Sequence, residues 1–143
     1  MIVLDTNVVS EMMRPAPGAN VFNWLNVQVA DELWLNSIVV SELLFGIARL
    51  PGGARKRQLT DTFAAMLEQD FAGRILAFDL EAAVIYAELA AGSEAKGRPV
   101  AMADAQIAAI CLAQGAKLAT RNLKHFKGLG LLLVNPWDVT SGN

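Results

Sequence analysis

Short apolar runs alternate with longer segments of helical periodicity along the whole chain. The runs predict buried strands at residues 2–4, 33–35, 75–78, 117–119 and 131–134. The periodic segments predict helices that end near 13 and that cover about 21–29, 38–50, 55–69, 80–96 and 101–114. Strands that alternate with helices predict a mostly parallel sheet of four or five strands with helices on both faces, a three-layer α/β/α domain of the α/β class.

Residues at the ends of these segments predict helix caps. Asp79 suits the N-cap of the helix over 80–96, Asn36 or Ser37 that of the helix over 38–50, and Gly115 suits the position after a helix. One helical phase of 80–96 is apolar, and we expect it to face the core. Its members are Leu80, Ala83, Val84, Ala87 and Ala91.

Composition restricts the classes of protein to consider. A chain of 143 residues with 54% apolar residues is predicted to form one domain, at 1–138, with a short C-terminal tail at 139–143. It has no apolar run of 18 or more residues and no basic segment before its first apolar run, so neither a membrane span nor a signal peptide is expected. Because the single Cys111 cannot form an internal disulfide, we expect a cytoplasmic protein. The net charge of −2 gives no overall attraction to nucleic acid.

The first strand ends at an acidic residue. Asp5 follows the run at 2–4, and ligands of open α/β sheets bind just beyond the carboxyl ends of strands. Asp5 or Thr6 also suits the N-cap of the next helix. The residues leave both roles open, and the presence of other acids at the same place favours a shared site.

Two further acids share a helical phase with apolar side chains. A carboxylate on a core-facing stripe is costly unless an arginine, backbone donors or a metal compensates its charge. Asp104 and Glu42 are both expected on such stripes. Their apolar neighbours in phase are Ile107, Ala108 and Cys111 for Asp104, and Ile38, Val39 and Phe45 for Glu42.

Carboxylates that meet at one edge of a sheet repel one another, and a divalent cation relieves that repulsion. Mg²⁺ and Mn²⁺ prefer oxygen ligands, and such an ion activates water and neutralises charge on a phosphodiester. The chemistry indicated is hydrolysis of a phosphate ester. Asn122 either adds a carbonyl oxygen or is a turn residue. His125 is the only histidine, which excludes a two-histidine ribonuclease mechanism and a histidine-rich zinc site, and no phosphate-binding loop or serine-nucleophile motif is present.

Four short motifs follow one another in a fixed order. They are Leu4-Asp5-Thr6-Asn7 with Ser10-Glu11, then Ser41-Glu42-Leu43, then Ala103-Asp104-Ala105-Gln106-Ile107-Ala108-Ala109, and Ala119-Thr120-Arg121-Asn122. In this order and spacing the chain resembles PIN-domain proteins, in particular the VapC-type toxins of bacterial toxin–antitoxin pairs, close to the FitB branch. The resemblance extends over about residues 2–137.

The resemblance implies a Mg²⁺- or Mn²⁺-dependent endoribonuclease, with Asp5, Glu42 and Asp104 as the catalytic and metal-binding acids. Asp5 and Asp104 would be direct ligands, and Glu42 a ligand or the group that orients the water. Many family members carry a fourth acid where this chain has Asn122, a departure that bears on a second metal more than on activity. The positions that match hydrogen-bond partners of the acids are Thr6, Asn7, Thr120 and Asn122.

The resemblance also implies partners. They are an RNA substrate, with tRNAs among the RNAs to test, a second copy in a homodimer, and a cognate antitoxin, a small DNA-binding protein that inhibits the nuclease. No membrane partner is expected. Candidates for RNA contact near the predicted strand ends are Arg14, Arg98, Arg121 and Lys124, whereas the basic cluster at 55–57 is interpreted as a solvated helix start.

Three alternatives stay open on the sequence alone. The first is a catalytically weak or silent module whose acids receive an antitoxin arginine and which acts through operon regulation. The second is a nuclease of RNA processing without a toxin role. In the third, the acids are structural and bind no metal.

Overall fold

The computed structural model describes residues 1–138, and the predicted tail at 139–143 lies outside the described residues. The strands of the described part are β1 (Ile2–Leu4), β2 (Leu33–Asn36), β3 (Ile75–Leu76), β4 (Lys117–Ala119) and β5 (Leu133–Val134). Its α-helices are α1 (Thr6–Met12), α2 (Ala19–Asn26), α3 (Ser37–Ala48), α4 (Ala54–Ala65), α5 (Leu80–Ala95), α6 (Met102–Gln114) and α7 (Leu123–Phe126). A 3₁₀ turn, Ala30–Glu32, precedes β2, and a π-helical turn, Met66–Asp70, extends α4.

The five strands form one sheet in the order β3-β2-β1-β4-β5, and every neighbouring pair is parallel. β1 lies at the centre, with Ile2 opposite Leu33 of β2 and Lys117 of β4. The α/β prediction is confirmed, including the fifth strand, although β3 and β5 are each only two residues long. From β1 the chain adds β2 and β3 on one side of the sheet and then β4 and β5 on the other side. Open α/β sheets place their ligand sites at such a change of direction.

The middle of the sheet is fully buried because helices cover both faces. Val3 and Leu4 of β1 and Leu118 and Ala119 of β4 have no exposed surface. A strand that is covered on both sides must be apolar throughout, which is why the runs at 2–4 and 117–119 show no polar alternation. The polar residues that follow each run therefore mark the edge at which the strands leave the core.

Predicted caps hold the helices that leave this edge. The Asn36 side chain accepts from the Val39 N–H at the start of α3, and Asp79 accepts from the Ala82 N–H at the start of α5. After α6, Gly115 has φ +63°, a left-handed conformation that favours glycine. These predictions from helix-end residues are confirmed.

The predicted core face of α5 is wrong. Leu80 and Val84 are 81% and 55% exposed, and Ala87 and Ala91 are exposed as well. The side chains that α5 directs inward belong to another phase, with Ala82, Ile85, Tyr86, Leu89 and Ser93 buried or partly buried. The helix is apolar on nearly all sides, so periodicity alone did not determine which phase packs on α6.

The helices of residues 1–138 include none with the combined length and apolar character needed to cross a membrane.

Candidate active site

Asp5 caps α1 and also lies at the carboxyl end of the central strand, where a ligand site was predicted. Its Oδ1 accepts from the Thr6 N–H at 2.8 Å, and its Oδ2 accepts from the Thr120 hydroxyl at 2.7 Å. The Asp5 N–H continues the pairing of β1 with β4 by donating to the Ala119 carbonyl. The residue is only 5% exposed, so these donors replace much of the water that a free carboxylate would bind.

Thr120 connects the ends of the two central strands. Its buried hydroxyl donates to Asp5 and accepts from the Asn122 N–H at 3.0 Å. Asn7 supports the same junction, because its Oδ1 accepts from the Arg121 N–H at 3.0 Å and its Nδ2 lies 3.4 Å from Asp5 Oδ2. Asn122 itself is exposed and contributes to this network through its backbone.

Glu42 reaches the site from α3, but from a different surface than predicted. The buried side chains of α3 are Val39, Leu43 and Ile47, whereas Glu42 is exposed and Phe45 is 54% exposed. The expectation that Glu42 lies on a core-facing stripe is therefore wrong. Glu42 Oε1 instead accepts from the Thr6 hydroxyl at 2.8 Å, so Thr6 links Glu42 to the residue that follows Asp5.

Asp104 reaches the site from the first turn of α6. Its predicted neighbours in phase, Ile107, Ala108 and Cys111, are all buried, and the Asp104 side chain is 23% exposed. Asp104 Oδ2 lies 3.3 Å from Nδ1 of His125 on α7. The carboxylate thus stands at the boundary between the core and the cleft.

The charges of the three acids act on one another. Partial burial raises the pKa of Asp104, the neighbouring His125 lowers that pKa, and the charges of Asp5 and Glu42 raise it further. Burial, with a smaller effect of the Asp5 charge, raises the pKa of the Cys111 thiol to about 12. Asp5, at the end of β1, and Glu42, on α3, are therefore close enough for their charges to act on Asp104 of α6.

The three acids gather without closing on a single point. Within residues 1–138, no three side chains of the histidine, cysteine, aspartate or glutamate type are close enough to hold one metal ion. Mg²⁺ commonly uses one or two protein carboxylates and keeps several waters, and a carboxylate oxygen that accepts one hydrogen bond has a further lone pair. The oxygen-rich donors of this cleft therefore suit Mg²⁺ or Mn²⁺ in chemical type, with water completing the coordination.

A groove of about 770 Å³ begins at Thr6, Asn7 and Glu42 and extends between α1, α3 and α4. Arg14 and Arg121 of the predicted RNA contacts line it, whereas Arg98 and Lys124 are exposed residues outside its lining. The remaining lining is mixed, with apolar side chains beside polar ones. They include Glu11, Leu43, Ile47, Leu59 and Trp137.

Two arginine side chains of the groove are held in place, Arg14 by an ion pair and Arg121 by stacking. Arg14 contacts Glu11 at 3.1 Å, and the Glu11 carboxylate also accepts from the Gly18 N–H at 2.7 Å. The Gly18 hydrogen bond and the Arg14 guanidinium lower the pKa of Glu11. The Arg121 guanidinium stacks on Trp137 with 5.0 Å to the ring centre. These contacts leave the positive charge of the groove at defined positions.

Two residues near the site were missed from the sequence. Arg55, interpreted as part of a solvated helix start, lines the far part of the groove. His125 was used only to exclude other chemistries, yet it contacts Asp104. A helix that begins after Asn122 would place His125 near Asn122, since the two are three residues apart. No sign of that helix is visible in the sequence, because α7 has only four residues and shows no periodic pattern.

Comparison with known proteins identifies the family of this chain. The model of the PIN domain matches residues 2–130. The plasmid stability protein StbB of Pseudomonas syringae is 46% identical and the VapC ribonuclease Y4jK of Sinorhizobium fredii is 40% identical, each over 96% of this chain and 99% of the relative. The toxin FitB of Neisseria gonorrhoeae is 38% identical over 96% of this chain and 99% of its own length.

A solved structure has the same fold. The structure of FitAB bound to the IR36 DNA fragment matches with a TM-score of 0.90 at 36% identity, covering 100% of both chains. The family model spans most of the described domain, and the fold agrees with that of the solved complex. This chain belongs to the PIN-domain family, in the branch of the VapC-type proteins and FitB.

Proposed function

We propose that this chain is the toxin of a toxin–antitoxin pair, a Mg²⁺- or Mn²⁺-dependent endoribonuclease that hydrolyses RNA phosphodiester bonds. One observation carries the proposal: three acids from different elements lie near one another, since the charges of Asp5 and Glu42 both act on Asp104. The names of two relatives support it, one a VapC ribonuclease and the other a toxin. A divalent cation would balance the negative charges of these acids.

Each acid and its hydrogen-bond partners have a distinct role in this proposal. Asp5 and Asp104 would hold the ion, which when bound polarises the scissile phosphate and lowers the pKa of a bound water. Thr120 and the Thr6 N–H keep the Asp5 carboxylate in one orientation. Glu42 is held through Oε1 by the Thr6 hydroxyl, so its Oε2 is the oxygen that would accept a hydrogen bond from the attacking water.

The groove would receive the RNA backbone on one side of the acids. Arg14 and Arg121 line the groove and would pair with phosphates that flank the scissile bond. Trp137, which stacks against the Arg121 guanidinium, adds an aromatic surface to the same groove. Arg98 and Lys124, outside this lining, would contribute only through more distant parts of a longer RNA.

The proposed partners are a cognate antitoxin and a second copy of the chain. FitAB, a complex bound to DNA, is a structural neighbour, which supports an antitoxin that brings DNA binding to the pair. The exposed apolar phase of α5, with Leu80 and Val84, supports a homodimer because such surface is usually covered in an assembly. Sedimentation of the antitoxin-free protein tests the dimer.

The test of activity is cleavage of a panel of RNAs, tRNAs included, by antitoxin-free protein with Mn²⁺, with Mg²⁺ and with a chelator. We expect metal-dependent cutting that Asp5→Asn and Asp104→Asn reduce by roughly 100-fold or more, a loss typical of removing one electrostatic contact to the transition state. The matched control is Asp79→Asn, because Asp79 caps α5 outside the cleft and asparagine caps equally well. Cleavage that persists in chelator, or that Asp79→Asn removes equally, would overturn the assignment.

A second candidate function is a catalytically silent module that acts through antitoxin binding. The spacing of the acids favours it, since no three of the relevant side chains in the described domain surround one ion position, and Asn122 adds no charge. In this case the wild-type protein would cut no RNA with either metal and would still bind its antitoxin. The same cleavage panel, read beside an antitoxin-binding measurement, separates the two functions.

A further inference from the structure

His125 stands beside a proposed metal ligand without having a role in the function described above. It belongs to α7, a single turn that follows Asn122 and is anchored by Phe126, which is 1% exposed. The imidazole is 56% exposed, and its Nδ1 lies 3.3 Å from Asp104 Oδ2. The buried Phe126 thus fixes the turn from which the histidine reaches α6.

The surroundings of Asp104 explain why such a neighbour matters. The carboxylate is desolvated on the core side and has two like charges, Asp5 and Glu42, on the cleft side. His125 is placed to offset this, because its Nδ1 lies 3.3 Å from Asp104 Oδ2, within reach of a hydrogen bond. Asp5 has Thr6 and Thr120 as donors and Glu42 has Thr6, and His125 is the corresponding polar neighbour of Asp104.

We propose that His125 is a positioning residue for Asp104: its Nδ1–H donates to Oδ2 and so leaves Oδ1 as the oxygen that binds the cation. The inference rests on the function proposed above. It does not depend on protonation of the ring, because a neutral imidazole that carries its proton on Nδ1 donates in the same way. Outer hydrogen bonds of this kind orient metal-binding carboxylates, and their loss commonly lowers metal affinity or activity by roughly 10- to 100-fold.

The first test reads the tautomer in metal-free protein. Because the chain has a single histidine, its ¹⁵N NMR spectrum reports one imidazole. At about pH 9, where free imidazole is neutral, we expect the Nδ1–H tautomer in the wild type. In Asp104→Ala, which removes the acceptor, we expect a shift towards Nε2–H. An Nε2–H tautomer in the wild type, or a spectrum that Asp104→Ala leaves unchanged, overturns the proposal.

The second test compares side chains that place a donor at different distances. Asparagine carries an amide nitrogen near the position of Nδ1, whereas the amide of glutamine lies one bond farther out. We expect His125→Ala and His125→Gln to lower Mn²⁺ affinity, measured by calorimetry, by roughly 10- to 100-fold, and His125→Asn to restore most of it. Equal affinity in the alanine and asparagine variants contradicts a positioning role.

Kinetics and stability complete the test. We expect His125→Ala to lower kcat by a similar factor with KM for RNA within about twofold, because a change in the metal ligand acts on the chemical step and not on RNA binding. Melting temperatures in chelator show whether α7 still packs in each variant. If the wild type cuts no RNA, the proposed function fails, and the tautomer and the Mn²⁺ affinities still decide whether His125 positions Asp104.

Discussion

Substitution of Asp5 by asparagine or by alanine should separate what this side chain does for the fold from what it does for chemistry. Alanine removes the cap of α1, which costs about 1 kcal/mol. It also leaves the fully buried Thr120 hydroxyl without its acceptor, at a cost of about 1–3 kcal/mol. The expected loss for Asp5→Ala is therefore about 2–4 kcal/mol, or a fall in Tm of roughly 6–15 °C for a domain of this size.

Asparagine keeps most of these contacts. Its Oδ1 still accepts from the Thr6 N–H, and its Nδ2 can donate to the Thr120 oxygen, so that contact is kept with its direction reversed. Removal of the charge also relieves the repulsion on Asp104. We therefore expect Asp5→Asn to remain within about 1 kcal/mol of the wild type while it loses cleavage.

The assay monitors thermal and urea unfolding of both variants by circular dichroism, in the presence of a chelator. Asp79→Asn and Asp79→Ala form the matched pair at a cap outside the cleft, where only the cap contribution should be lost. If Asp5→Asn destabilises as much as Asp5→Ala, then the charge and not the hydrogen-bond geometry of Asp5 supports the fold, and the argument from Thr120 is refuted.

Two other predictions concern groups with shifted pKa values. Because the pKa of Glu11 is lowered in the fold, its contribution to stability is present above the unfolded value of 4.5 and is lost as the pH falls through the folded pKa. The difference in urea midpoint between the wild type and Glu11→Gln should therefore shrink as the pH falls through that range. A difference that does not change with pH would contradict this prediction. Cys111 is fully buried with a pKa of about 12, so its thiol should react with a disulfide reagent only as the protein unfolds, and fast reaction of the native protein would contradict the packing of α6.

The sequence predicted those features that depend on local chemistry or on complete burial. The runs at 2–4 and 117–119 lie in the most buried strands, and a short apolar run without alternation is typical of a strand that is covered on both faces. Asn36, Asp79 and Gly115 act on the backbone within a few residues, so their roles follow from residue type. The partial burial of Asp104 agrees with its predicted phase, because Ile107, Ala108 and Cys111 are all buried, although α6 buries other phases as well.

The remaining features depend on packing between elements. In α3 and α5 apolar residues occupy several phases, so the choice of buried face is made by the neighbouring helices and not by the period. This is why the orientation of Glu42 and of Leu80 was predicted wrongly. The contact of His125 with Asp104 joins a four-residue helix to the first turn of another, and no pattern along the chain indicates that approach.

The junction of β1 with β4 has a consequence for synthesis of the protein on the ribosome. Asp5 and Thr120 are separated by 115 positions, so the contact that orients Asp5 cannot form before residue 120 has been synthesised. A nascent chain that ends before β4 carries Asp5, Glu42 and Asp104 but cannot assemble their cleft. If the chain is the nuclease proposed above, its truncated translation products should be inert, and activity should begin only when nearly the whole chain has been made and folded.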